Sequence, residues 1–241
     1  METVLSLRAH VSRRPGDTRG AYLKRTVAAQ IHLLGAALAL VGAGVLLETA
    51  SRFEPARFAA AAAYALPSIL VFGISALYHF LYDGHAMSDA LAERFELCDR
   101  AAIYLFIAGT YTPFLTNVVA PPWRERLLVL VWSIAVAGIA YTALYARLPR
   151  WARGRFLSTG LFVLMGWTML IRAGEIFSRL DVRGLSLLGA GALCYSLGAI
   201  VFVARRPNLF KDVFGYHELW HLSVLGGAAF HYFLILRFYA L

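Results

Sequence analysis

Leu185 to Ala204 reads LSLLGAGALCYSLGAIVFVA, twenty residues without one charged side chain. A helix of that length, rising about 1.5 Å per residue, spans the roughly 30 Å hydrocarbon core of a bilayer. The same ruler, moved outward along the chain, finds six more stretches: residues 26–47, 58–82, 97–117, 127–146, 156–177 and 216–239. Between them lie the breaks, among them Glu48 to Arg57 with Pro55, Pro121-Pro122 before Trp123, and Arg205 to Gly215 with Pro207. The expectation is an all-α integral membrane protein, a bundle of seven transmembrane helices joined by short connections.

Composition supports this and excludes other classes. Hydrophobic residues make up 60% of the 241, charged residues 15%, and the mean hydropathy is +0.64. Soluble domains carry about 45–50% apolar and about 25% charged residues, and disordered chains far less apolar surface. Cys98 and Cys194, the only cysteines, both lie in apolar stretches and form no disulfide framework. The net charge of +9 argues for basic cytoplasmic loops rather than for a nucleic-acid partner.

The distribution of positive charge predicts orientation. With the leader inside, Lys and Arg divide 15 inside (from Arg8, Arg13 and Arg14 to Arg206 and Lys211) to 7 outside. The positive-inside rule therefore places the N-terminus in the cytoplasm and the C-terminus outside. Residues 1–25 are expected to be a basic cytoplasmic segment and 26–241 a single seven-helix domain, multi-pass in the cell inner (plasma) membrane. The first apolar stretch exceeds a signal-peptide core and lacks a small-residue cleavage site.

Ionisable side chains inside such spans cost about 2.5–3.5 kcal/mol at mid-bilayer and are functional candidates for that reason. Here they are His32, His79, Asp99, Arg172, Glu175, His217, Glu218, His221 and His231. The topology puts His79 in the last turn of the second span, Asp99 in the first turn of the third, and His217 and His221 in the first turns of the seventh. Three histidines and an aspartate thus meet at one depth, near the cytoplasmic face. His217 and His221 are four apart and share a helix face, as do Ser75 and His79. Three imidazoles with a fourth position open to water match a catalytic zinc site, although imidazole also suits iron, copper or nickel. His231, ten residues past His221, is too deep to join them and is expected to make a core hydrogen bond. His32, about one and a half turns into the first span, is placed behind the ligands or on a substrate path, and Arg172 with Glu175 reads as an ion pair. The string His217-Glu218-Leu219-Trp220-His221 also fits H-E-x-x-H, in which the glutamate is the base of a zinc protease.

The stretch Ser75-Ala-Leu-Tyr-His79, the run Asp99 to Phe114 (DRAAIYLFIAGTYTPF) and His217-x-x-x-His221 together resemble the bacterial hemolysin III family. That family is related to the progesterone and adipoQ receptors and to the alkaline ceramidases of the CREST superfamily. The resemblance covers about residues 22–240 and implies seven spans with the N-terminus inside. It also implies zinc held by His79, His217 and His221, with Asp99 holding the metal-bound water and Ser75 a nearby hydroxyl. The family's first span usually opens E-x-x-N-x-x-T-H-x-x-G; here Arg25, Ala28 and Ile31 replace the Glu, Asn and Thr, leaving His32 and Gly35. Glu218 occupies a position that the family pattern leaves free.

The leading expectation is a zinc-dependent hydrolase of a lipid amide or ester bond, with Asp99 and Ser75 as catalytic groups and a membrane lipid as substrate. The alternatives are a non-enzymatic, zinc-stabilised receptor or regulator of membrane lipid state, a cytolysin or pore, and an intramembrane protease using Glu218. A pore is disfavoured because the polar residues crowd one end of the spans.

Overall fold

The computed structural model describes residues 18–83, 88–148, 155–210 and 213–240. They form helices α1 (Thr18–Ala50), α2 (Pro55–Asp83), α3 (Asp89–Val118), α4 (Trp123–Ala143), α5 (Arg155–Trp167), α6 (Ala173–Arg179), α7 (Val182–Ala204) and α8 (Tyr216–Ala240). A 3-10 stretch, Thr168–Arg172, joins α5 to α6, and another, Tyr145–Arg147, follows α4. There is no strand among the described residues, only an isolated bridge between Phe210 and Phe214. Seven segments are long and apolar enough to cross a membrane, and α5, the 3-10 stretch and α6 together make the fifth. The protein is an all-helical seven-span bundle. Most of the basic leader, residues 1–17, lies outside the described residues; α1 already begins at Thr18.

Successive spans pack on one another around the bundle, and α8 returns against α1. The long α3 also meets α5 and α8, so it runs through the middle. Two apolar clusters fill the interior. One gathers Tyr104, Tyr111, Phe114, Leu127 and Met165; the other gathers Leu46, Tyr64, Phe72, Phe106 and Ile235. The alanine run of α2 allows close packing on α3. A Cβ added at Gly109 of α3 would sit 2.3 Å from the Ala63 carbonyl oxygen, so only glycine permits the two backbones to approach this far. Leu33, Leu38 and Val41 of α1 and Leu193, Leu197 and Ile200 of α7 face outward and are exposed, as lipid-facing residues must be.

Two boundaries depart from the sequence expectation. Helix α3 starts at Asp89, well before residue 97, because Ser88 caps it by accepting from the Leu91 N–H at 3.4 Å. The charges on Asp89, Glu93, Arg94 and Glu96 hide that first part from a hydropathy reading. The fifth span is not one continuous helix. Its break at Thr168–Arg172 frees backbone groups inside the bundle, where each needs a partner. The Tyr111 hydroxyl of α3 supplies two bonds, donating to the Gly166 carbonyl at 2.7 Å and accepting from the Met169 N–H at 3.1 Å. Hydrogen bonds within a bilayer are worth about 0.6–1.7 kcal/mol each. Tyr111→Phe is therefore expected to cost about 1–3 kcal/mol, read as a lower unfolding midpoint in detergent. An unchanged midpoint would mean that another group takes over both bonds.

The bundle end opposite the histidines is tied by arginines. Arg57 donates to Asn117 Oδ1 at 2.8 Å and to the Phe238 carbonyl, and lies 4.0 Å over the Phe53 ring. Glu175 accepts from Arg172 at 3.0 Å and from the Ala120 N–H at 2.8 Å, so the expected ion pair is present. Asp181 caps α7 through the Gly184 N–H, and the Arg237 guanidinium of α8 holds its carboxyl down at about 2.

Candidate metal centre

The polar cluster is assembled by four helices. His79 and Ser75 lie in the last turns of α2, Asp99 lies in α3, and His217 and His221 lie in the first turns of α8. His32 comes from α1. A Cβ at Gly35, one turn further on, would be 2.6 Å from the Phe72 ring, so this glycine lets α1 settle against α2 and brings His32 in. His32, His79 and His221 are buried, and one ring nitrogen from each lies within 4.8 Å of the others. This buried triad could hold a metal ion. His217 completes a ring of four: its Nε2 is 3.2 Å from Nε2 of His221, and its ring centroid is 5.5 Å from that of His79. The sequence expectation placed His32 behind the ligands or on a substrate path; the structure brings its Nε2 to 2.6 Å from His221 Nδ1.

The donors suit a divalent ion. Zinc–nitrogen bonds of about 2.0–2.1 Å put tetrahedral ligand nitrogens roughly 3.3–3.4 Å apart, close to the His217–His221 separation. All four side chains are imidazoles, a ligand type that favours zinc, iron, copper or nickel over magnesium or calcium.

Asp99 and Ser75 flank the histidines. Ser75 comes up to the Asp99 carboxylate, which is also within electrostatic reach of His217. The Ser75 Oγ is fully buried yet closes no hydrogen bond of normal geometry. A buried hydroxyl that meets only a carboxylate, beside a cluster of imidazoles, keeps hydrogen-bonding capacity for a further group.

Glu218 has a different task from the one H-E-x-x-H suggests. It is 1% exposed, its Oε2 accepts from the Gly215 N–H at 2.7 Å, and its Oε1 lies 3.6 Å from His217 Nδ1. Gly215 immediately precedes α8 and Glu218 is the third helical residue, so the carboxylate reaches back to the helix start as in a capping box. Its other oxygen lies on the side of the outer nitrogen of His217, whose Nε2 faces His221.

His231 stays apart. Its Nε2 lies 3.4 Å from the Leu188 carbonyl and its ring packs edge-on against Tyr195, in line with the core role expected of it. It also lines an apolar cavity of about 100 Å³ with Phe106, Phe162, Trp220 and Val224. That cavity starts within one turn of the cluster, since Val71 precedes Ser75 by four residues and Val224 follows His221 by three.

Residues 21–232 match the family described as "Haemolysin-III related". The chain belongs to the hemolysin III family. It is 34% identical over 226 residues to hemolysin-3 of Bacillus cereus, covering 91% of this chain and 94% of that protein. It is 34% identical over 202 residues to the hemolysin-3 homolog of Bacillus subtilis (strain 168), covering 81% and 89%. The human monocyte to macrophage differentiation factor is 26% identical over 175 residues, covering 73% of this chain and 68% of its own. The resemblance stated from Ser75-x-x-x-His79, Asp99 and His217-x-x-x-His221 therefore names the right family. It also makes this a multi-pass membrane protein.

Proposed function

We propose that this hemolysin III chain is a zinc-dependent hydrolase of a lipid amide or ester bond. One observation carries the reading: several buried imidazoles converge on one point beside an acid and a buried hydroxyl, Asp99 and Ser75. His79, His217 and His221 are the proposed ligands. A bound zinc ion would polarise the scissile carbonyl and lower the pKa of water from 15.7 towards about 7. The Asp99 carboxylate accepts a proton from the attacking water and returns it to the leaving nitrogen or oxygen. Ser75 Oγ–H donates to the carbonyl oxygen as negative charge develops on it. The apolar cavity next to the cluster is the place for a lipid chain whose scissile bond lies near the headgroups. The main-chain and side-chain tethers of Glu218 leave the proton transfer to Asp99.

The proposed orientation, N-terminus inside and C-terminus outside in the plasma membrane, sets the site in the cytoplasmic leaflet. A reporter fused after Leu241 should be extracytoplasmic; a cytoplasmic reporter would move the site to the outer leaflet. The activity itself is tested with purified protein and a panel of lipid amides and esters. Fatty acid should be released, the release should stop with a strong chelator, and it should return with added zinc. Stoichiometric metal without release from any substrate would favour the receptor or regulator reading, in which the ion stabilises the bundle.

A further inference from the structure

His32 is one of the three buried histidines that could hold an ion, but its contact with His221 is that of a hydrogen bond. Its Nε2 is 2.6 Å from His221 Nδ1, a hydrogen-bond separation and well inside the roughly 3.3 Å that two nitrogens on one tetrahedral ion require. The other nitrogen of His221, Nε2, faces His217 Nε2 at 3.2 Å, which does fit such an edge. With no ion between His32 and His221, one proton lies between them, and two arrangements are open to it. If His32 Nε2–H donates, neutral His221 carries its own proton on Nε2, pointing at His217, and no ion can sit there. If His221 Nδ1–H donates to His32, the Nε2 lone pair of His221 is free for a metal.

We propose that His32 is a positioning residue for the metal centre: it accepts the Nδ1–H of His221 and so commits His221 to bind through Nε2. This rests on the reading that the histidines hold a metal. The part is usually taken by a carboxylate or a backbone carbonyl; here a neutral imidazole from the first span takes it. The ring is held for the purpose. It stacks on His79 with the planes 12° apart and centroids 5.6 Å apart, and lies 6.2 Å from the Phe72 ring. Its outer nitrogen, Nδ1, is buried without a partner, and Ala28, one turn earlier on α1 and also buried, offers no side-chain acceptor. His32 therefore has its single side-chain hydrogen bond to His221. A neutral partner also adds no negative charge behind the ligand, which leaves the ion a stronger Lewis acid than a carboxylate partner would.

The test uses the full chain in detergent, stripped of metal and reloaded with zinc or cobalt. Zinc affinity is measured by competition with a chelator, and the coordination number by the visible absorption of the cobalt form. His32→Ala should still take one ion per chain, with affinity lower by about 10–100-fold and the cobalt bands unmoved. His32→Gln, whose amide oxygen can accept the same N–H, should regain most of that affinity. The unfolding midpoints of the metal-free variants show whether either substitution disturbs the fold; if the alanine variant fails to fold, the glutamine variant carries the test. Loss of the ion together with shifted cobalt bands would make His32 a direct ligand and overturn the proposal. Affinity within about twofold of the parent for His32→Ala would overturn it as well. A parent chain that binds no metal at all would remove the proposed function along with it, which sets that failure apart from the other two.

Discussion

His221→Ala should empty the centre: from about one zinc per chain in the purified protein, occupancy should fall close to zero. His79→Ala should do the same. Both residues belong to each way of drawing a three-histidine site here, whether with His217 or with His32 as the third member. His217→Ala separates the two. On the ligand set proposed here it also loses the ion, because the 3.2 Å approach of its Nε2 to His221 supplies one edge of the coordination tetrahedron. Zinc retained by His217→Ala would mean that the buried His32, His79 and His221 hold it by themselves. His231→Ala should keep full metal, since that ring is engaged with Leu188 and Tyr195 deep in the bundle. Metal content by elemental analysis reads all four variants. Full occupancy in the other three would sink the site altogether. The loss should also appear as instability. A ligand present at 1,000 times its dissociation constant adds about 4.1 kcal/mol to the folded state, and a chain that cannot bind forgoes that amount.

How much of this was legible beforehand depends on what each feature rests on. The seven spans were plain because the bilayer imposes a length of about 20 apolar residues, and hydropathy measures that directly. The start of α3 was not, because Ser88 acts through a cap bond and not through apolarity. The break in the fifth span was also hidden. Its backbone groups are satisfied by Tyr111, some 55 residues upstream on another helix, and no local pattern announces such a partner. The gathering of His79, Asp99, His217 and His221 at one bundle end followed from reading depth against topology. The same arithmetic extends to His32. It lies six residues past Thr26 and His221 five past Tyr216, so both are about 7.5–9 Å into their spans if those begin at one level. What depth could not supply was azimuth. Gly35 and its contact with Phe72 turn α1 so that His32 faces inward, and that is a property of packing. Glu218 shows the opposite case, a motif that was legible but whose glutamate is tied to Gly215.

The choice of proton carrier gives the second large effect. If Asp99 handles the attacking water, Asp99→Asn should fold, keep most of its zinc and lose about 10²–10⁴-fold in hydrolysis, the usual loss on removing a general base. The amide is nearly isosteric and can still meet Ser75, so structure and metal should persist while proton acceptance is gone. Glu218→Gln should behave differently. Its oxygen can still accept from the Gly215 N–H, and the expected change is a modest loss of metal affinity through the charge lost beside His217. A protease of the H-E-x-x-H kind predicts the reverse, with Glu218→Gln inactive and Asp99→Asn tolerated. Asp99→Asn that loses its zinc would make the aspartate a direct ligand and not the base. The two substitutions each remove one negative charge within a turn or so of the same histidines, so a general electrostatic effect would weaken both variants alike. Only a proton-transfer role separates them by orders of magnitude, and rates measured at matched zinc occupancy make that separation readable. If neither substitution alters hydrolysis, the base is elsewhere and the catalytic part assigned to Asp99 falls.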